Sequence, residues 1–189
     1  MYIHPSKYLI YLAHPRTASA STAEALTKIG FEKPPGRDHH CRLHGPGSPI
    51  PPELRDEWIV FTTIRNHFDA AVSWGYMDSN NPSTIPWSKG FFKRALETPW
   101  VGANTMWFHT ESDAFLRYEN LLEDLEIFLG GFDLELPELP HLNASDRKGK
   151  HYSEYYDFES RDYVEKRFQD ELRHFGYKFE SSLDKPSTV

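Results

Sequence analysis

KYLIYLA at residues 7–13 runs directly into HPRTASAS at 14–21, and STAEALTKIGF at 21–31 carries the chain onward. The first run is apolar at successive positions, the pattern of a strand buried on both faces of a parallel sheet. The second is a turn of small and polar residues. In the third, Ala23, Leu26 and Ile29 recur at helical spacing and Gly30 supplies the C-terminal stop. Strand, tight polar turn and helix form the opening βα unit of an α/β domain.

Outward from this unit the same alternation continues. Residues 34–53 hold six prolines and three glycines and read as an irregular loop, which carries His39, His40 and His44. WIVFTTI at 58–64 is a second buried strand, and residues 69–76 are helical. After a loop at 79–87, short helices are predicted over 88–97 and 102–109. DAFLRYE at 113–119 is a third strand, followed by a helix that ends at Gly130 and Gly131. A proline-rich connector at 136–140 leads to the basic loop NASDRKGKH at 143–151. The spacing of Tyr163, Val164, Phe168 and Leu172 predicts one amphipathic helix over 159–174. No internal repeat or linker interrupts the chain, so a single domain is expected over 1–180, with a polar tail at 181–189.

The bulk composition narrows the function classes. A net charge of −7 argues against a general nucleic-acid binder, which needs a basic field. The single cysteine, Cys41, has no internal disulfide partner and fits a reducing compartment. No stretch reaches the length of a signal peptide's apolar region or of a spanning helix, so a cytoplasmic protein without membrane contact is expected. The 13 Phe, 10 Tyr and 5 Trp exceed ordinary usage. Trp74, Tyr76, Trp87, Phe91, Phe92, Trp100 and Trp107 can line a pocket, but core is the better reading for most of them.

The turn at 14–21 has the makings of an anion site. Between a buried strand and a helix, free backbone N–H groups and the positive end of the helix dipole aim at one point. The small side chains of Ala18, Ser19 and Ala20 let an anion approach the backbone. Thr17, Ser19 and Ser21 add hydroxyls, and Arg16 adds a fixed charge. The Walker spacing G-x-x-x-x-G-K-[ST] is absent, which disfavours ATP hydrolysis.

Pro15, Arg16, Thr17, Ala18, Ser19, Ala20 and Ser21 resemble the 5′-phosphosulfate loop of sulfotransferases that use 3′-phosphoadenosine 5′-phosphosulfate (PAPS), of the form PRTGST. Lysine is common at the Arg16 position, and a hydroxyl residue at the Ala20 position. RNHFDAAVS, from Arg65 to Ser73, is similar to the family's 3′-phosphate motif R-N-P-x-D-x-x-x-S, with His67 replacing proline and Asp69 in register. FLRYENLLEDLEIFLG resembles the segment Y-E-D/N-L-x-x-D, in which Tyr118 corresponds to an aromatic residue beside adenine. Arg147, Lys148 and Gly149 resemble the RKG loop over the 3′-phosphate, and FGYKF is similar to the ending of small members. The likeness spans roughly residues 8–179. It implies a three-layer, P-loop-type α/β fold with a central parallel sheet flanked by helices.

The resemblance further implies transfer of a sulfuryl group from PAPS to a hydroxyl or amine of a small-molecule or carbohydrate acceptor, releasing 3′-phosphoadenosine 5′-phosphate (PAP). Arg16 takes the leaving-group role, and Arg16, Thr17, Ala18, Ser19, Ala20, Ser21, Arg65, Ser73, Tyr118, Arg147 and Lys148 hold the nucleotide. No metal is required, and no residues have a metal's ligand spacing. The base is expected on the segment after the first helix, with His40 favoured, then His44, and His39 as the third choice. A non-catalytic module that binds a nucleotide or a sulfated ligand is the alternative. A kinase-like phosphotransferase is a more distant one, since the turn lacks a Walker-type lysine.

Overall fold

The computed structural model describes residues 1–40, 43, 52–78, 87–97, 105–142, 145 and 147–182, with the backbone alone at 52–54, 78 and 105–107. His44, Cys41, Trp100 and the tail beyond 182 lie outside the described residues, as does the side chain of Trp107. The strands are β1 (Tyr2–His4), β2 (Leu9–Leu12), β3 (Ile59–Ile64) and β4 (Ala114–Arg117). The α-helices are α1 (Ser19–Thr27), α2 (His67–Asp78), α3 (Lys89–Leu96), α4 (Thr105–Thr110), α5 (Leu121–Gly130), α6 (Phe158–Arg167) and α7 (Gln169–Phe175). The protein is thus an α/β protein with a four-stranded, mostly parallel sheet and seven α-helices among the described residues. None of these helices is long and apolar enough to cross a membrane.

The chain forms two compact units, Met1–Arg65 with Thr105–Ala144, and Asn66–Asn104 with Ser145–Val189. The first holds the sheet, in the order β1-β2-β3-β4. β2, β3 and β4 are parallel, with Tyr11 beside Phe61 and Thr62 beside Phe115. The expected all-parallel sheet is corrected by β1, which pairs antiparallel with β2, Ile3 opposite Ile10. Three residues carry too little alternation to be read as a strand. The reversal between β1 and β2 uses a 3-10 turn at Pro5–Lys7 and Tyr8 in the left-handed region, at φ 54°.

Successive residues of β2 feed opposite faces of the sheet, and Leu9 through Leu12 are fully buried. Leu9, Tyr11 and Ala13 pack with Phe61 of β3, Ala23 and Leu26 of α1, and Leu121, Leu125 and Leu129 of α5. Ile10 and Leu12 pack on the other face with Met1, Val60, Leu43 and Phe108. Coverage of both faces is why this strand reads as an unbroken apolar run rather than an alternating one. Gly30 follows α1 at φ +99°, a conformation strained for any residue with a Cβ, and a Cβ there would crowd His4 Nε2 at 3.0 Å.

The second unit is helical and aromatic. Phe68, Val72, Phe92, Leu96, Tyr152, Tyr155, Val164, Phe168 and Leu172 form its core, with Trp74, Tyr76 and Trp87 packed against it. Of the aromatic residues that could line either pocket or core, Phe92 lies in this core, Phe91 is buried, and Trp74, Tyr76 and Trp87 are partly buried against it. The single helix expected over 159–174 is two helices, α6 and α7, broken at Phe168 (φ −117°, ψ 25°). The apolar spacing was read correctly, because Val164, Phe168 and Leu172 do share one core; periodicity alone does not register a one-residue break.

Candidate functional site

A residue singled out in the sequence follows each of β2, β3 and β4. Arg16 follows β2, Arg65 follows β3 directly, and Tyr118 follows β4 directly. Because the three strands are parallel, all three residues leave the carboxyl edge of the sheet, where open α/β sheets bind ligands. Arg65 Nη1 donates to the Arg16 carbonyl at 2.8 Å, and the Arg65 guanidinium lies 3.9 Å over the centre of the Tyr118 ring. Arg65 is 8% exposed, so this cation is held by a carbonyl dipole and an aromatic face instead of by water.

The turn itself is tightly bent. Arg16 and Ala18 both occupy the left-handed region, at φ 63° and 60°. For residues with a Cβ that conformation costs roughly 1–2 kcal/mol each, and such local strain collects at ligand-binding turns. Ala18 is the N-cap of α1, and no side chain there caps the helix. The first turn of α1 is therefore without the usual Ser or Asp side-chain acceptor at its N-cap.

The hydroxyls of the turn divide into two kinds. Thr17 is fully buried; its Oγ1 donates to the His14 carbonyl at 2.8 Å and meets Thr63 Oγ1 in a close hydrogen bond. Thr63 also pairs with the Tyr11 hydroxyl at 3.2 Å. The Thr17 hydroxyl is thus a strut that fixes the turn to β3, leaving its backbone as the part that can meet an anion. Ser21 Oγ accepts from Leu142 N at 3.1 Å, and Ser19 Oγ lies 3.3 Å from His39 Nε2. Ala20 is half-buried in the first turn of α1.

His40 comes to the same place. Its Nδ1 lies 2.5 Å from the carbonyl oxygen of Ala13, the residue after β2. A carbonyl only accepts, so Nδ1 carries the proton and Nε2 keeps its lone pair, as a base requires. Desolvation lowers the His40 pKa, opposed by the Ala13 hydrogen bond and assisted by the charges of the N-terminal amine and Arg16. His39 differs: both of its ring nitrogens are engaged, Nδ1 with the Tyr2 hydroxyl at 2.8 Å and Nε2 with Ser19.

Ser73, Arg147 and Lys148 belong to the second unit. Ser73 is buried on α2. Arg147 is paired with Asp69 in the first turn of α2, through a close contact to Oδ1 and a 3.2 Å bond from Nη2 to the Asp69 carbonyl. Lys148 is exposed and left-handed at φ 50°, followed by Gly149 at φ 78°. Asp69, noted in the sequence only as falling in register, is thus the anchor of the RKG loop.

Thr63 and Tyr2 were not singled out in the sequence. For Thr63 a signal existed: two threonines end an otherwise apolar strand, and buried hydroxyls at a strand's carboxyl end need partners. Tyr2 gave none, because its strand was not legible. Among the described residues, no three His, Cys, Asp or Glu side chains gather as they would around a metal ion. In comparisons with known proteins, no family model, curated protein or solved structure matches this chain.

Proposed function

We propose that the protein is a PAPS-dependent sulfotransferase with a P-loop-type fold, acting on a hydroxyl or amine of a small-molecule or carbohydrate acceptor. One observation carries the reading. The residues that match three separate motifs of that family, Arg16, Arg65 and Tyr118, adjoin one another at the carboxyl edge of three parallel strands. That edge is where open α/β sheets bind ligands, and the parallel order of β2, β3 and β4 brings the three motifs to it together.

The donor supplies a sulfuryl group on a phosphosulfate anhydride, and the chain's own residues supply the rest. The backbone N–H groups of residues 17–21 and the dipole of α1 attract the 5′-phosphate oxygens. Arg16 neutralises charge on the leaving phosphate. Arg65 brings its positive charge to the 3′-phosphate, and the Tyr118 ring offers a face to adenine. His40, with Nε2 unprotonated, removes the acceptor's proton. Ser73, Arg147 and Lys148 enter this reading through their match to the 3′-phosphate motifs alone.

Thermal unfolding with PAPS, PAP, ATP or no ligand tests the cofactor. Saturation at about a hundred times the dissociation constant adds about 2.7 kcal/mol of stability, so PAPS and PAP should raise the melting temperature and ATP should not. A rise with ATP alone, or with none of the three, overturns the proposal. Transfer of radioactive sulfur from labelled PAPS to a panel of phenols, amines and sugars then separates the enzyme from a binding module, which would retain PAP without turnover.

A further inference from the structure

Tyr2, His39 and Ser19 form a hydrogen-bonded chain from the edge strand β1 to the first turn of α1. The Tyr2 hydroxyl is 2.8 Å from His39 Nδ1, and His39 Nε2 is 3.3 Å from Ser19 Oγ. The Tyr2 and His39 rings meet edge to face, with centroids 5.5 Å apart, so the imidazole is held by packing as well as by polar contact. Ser19 is 5% exposed and sits one residue beyond the left-handed Ala18.

Chemistry gives this chain a direction. A phenol is a good donor and a poor acceptor, whereas an imidazole lone pair is a good acceptor. Tyr2 O–H therefore donates to Nδ1, and the single proton of a neutral ring moves to Nε2, where it donates to Ser19 Oγ. Desolvation, followed by the nearby His40, pushes the His39 pKa down to about 4, so the ring is neutral at ordinary pH and has one proton to place. With an oxygen lone pair of Ser19 filled by His39, its own O–H is released to donate. In the opposite tautomer the Ser19 O–H would donate to His39 Nε2, and only an oxygen lone pair, which repels an anion, would face the turn.

We infer that Tyr2 and His39 are positioning residues that orient the Ser19 hydroxyl as a donor to the anion bound at the N-terminus of α1. The inference rests on the proposed nucleotide site and adds to it a use for β1. It also divides the two neighbouring histidines: His40 keeps a free Nε2 for a substrate proton, and His39 spends both nitrogens on holding the turn.

Nitrogen NMR of histidine-labelled protein reads the tautomer without any ligand. The expected result is Nε2–H at His39, retained in Ser19→Ala and lost in Tyr2→Phe; Nδ1–H in the unsubstituted protein overturns the inference. Calorimetry with PAP supplies the second arm. Ser19→Ala and Tyr2→Phe should each weaken binding by about tenfold, the scale of one hydrogen bond to a charged group. The double variant should bind no more weakly than Ser19→Ala alone, and additive losses overturn the inference. His39→Gln, whose amide can donate from a similar position, should keep most of the affinity that His39→Leu loses, an outcome that separates positioning from packing. If PAP gives no heat with the unsubstituted protein, the nucleotide reading fails; the tautomer and the same cycle run with inorganic pyrophosphate then decide the relay.

Discussion

The Arg65 guanidinium stacks on the Tyr118 ring at 3.9 Å while donating to the Arg16 carbonyl. A flat cation suits both tasks together, because its face meets the ring while its edge carries the donors. Lysine keeps the charge but has neither the face nor the fork. Arg65→Lys should weaken PAP binding by about tenfold or more. Tyr118→Phe should bind nearly as the unsubstituted protein does, since only the ring face is used, and Tyr118→Leu should not. Calorimetry on the three variants decides, and unchanged affinity in Arg65→Lys would remove Arg65 from the site.

As the proposed base, His40 would give the proposed sulfuryl transfer a pH signature. Its pKa is lowered, chiefly by desolvation, so the base form prevails at neutral pH and the acid limb of kcat/KM should have its midpoint below the ordinary histidine value of 6.5. His40→Gln should abolish that limb and lower turnover by about 10²–10⁴, the usual contribution of a general base. A variant that keeps both full turnover and the acid limb would move the base to His44.

Ala18 holds φ 60° and ψ 23° without the freedom of glycine. Relief of this strain should stabilise Ala18→Gly, offset in part by the greater freedom glycine gives the unfolded chain. The expected net gain is about 0.5–1 kcal/mol in urea unfolding, with PAP affinity unchanged because the backbone keeps its shape. A destabilised Ala18→Gly would show that the left-handed turn is relaxed as it stands.

Much of this architecture was legible from local pattern. The apolar runs at 7–13 and 58–64 became β2 and β3, trimmed at their ends, because short apolar runs bounded by turn residues suit strands buried on both faces. The places of Arg65 and Tyr118 just beyond strands were legible for the same reason: a strand's end fixes where the next side chain emerges. What stayed hidden depends on long-range pairing. β1 is defined by its hydrogen bonds to β2, and the roles of Tyr2 and Thr63 by partners 37 and 46 residues away. The inward turn of the Thr17 hydroxyl could not be read either, since the sequence lists a donor without its direction.

Asp69 and Arg147 face each other in the second unit with side chains 16% and 15% exposed. Little water screens such a pair, and loss of one member leaves a partly buried charge behind. Asp69→Asn should therefore lower stability by about 1–3 kcal/mol, with a salt dependence weaker than that of the exposed pair between Lys166 and Asp162. Urea unfolding at low and high salt measures both. Unchanged stability in Asp69→Asn would mean that the loop at 147–150 does not depend on this anchor.

His39 makes a separate prediction about stability against pH. Its folded-state pKa is pushed down to about 4, first by desolvation, from an ordinary 6.5. The unfolded chain therefore takes up the proton first as pH falls. Above 6.5 neither state is protonated and His39 contributes no slope; between 6.5 and about 4 stability should decline; below 4 both states hold the proton and the decline from this group ends. His40 shifts in the same direction, so the slope in His39→Gln should be reduced and not abolished. Chemical unfolding midpoints at pH 7.0, 6.0, 5.0 and 4.5, roughly spanning the window between the two pKa values, provide the measurement. Equal slopes in the two proteins would show that His39 titrates normally in the folded state, with its ring open to water rather than enclosed between Tyr2 and Ser19.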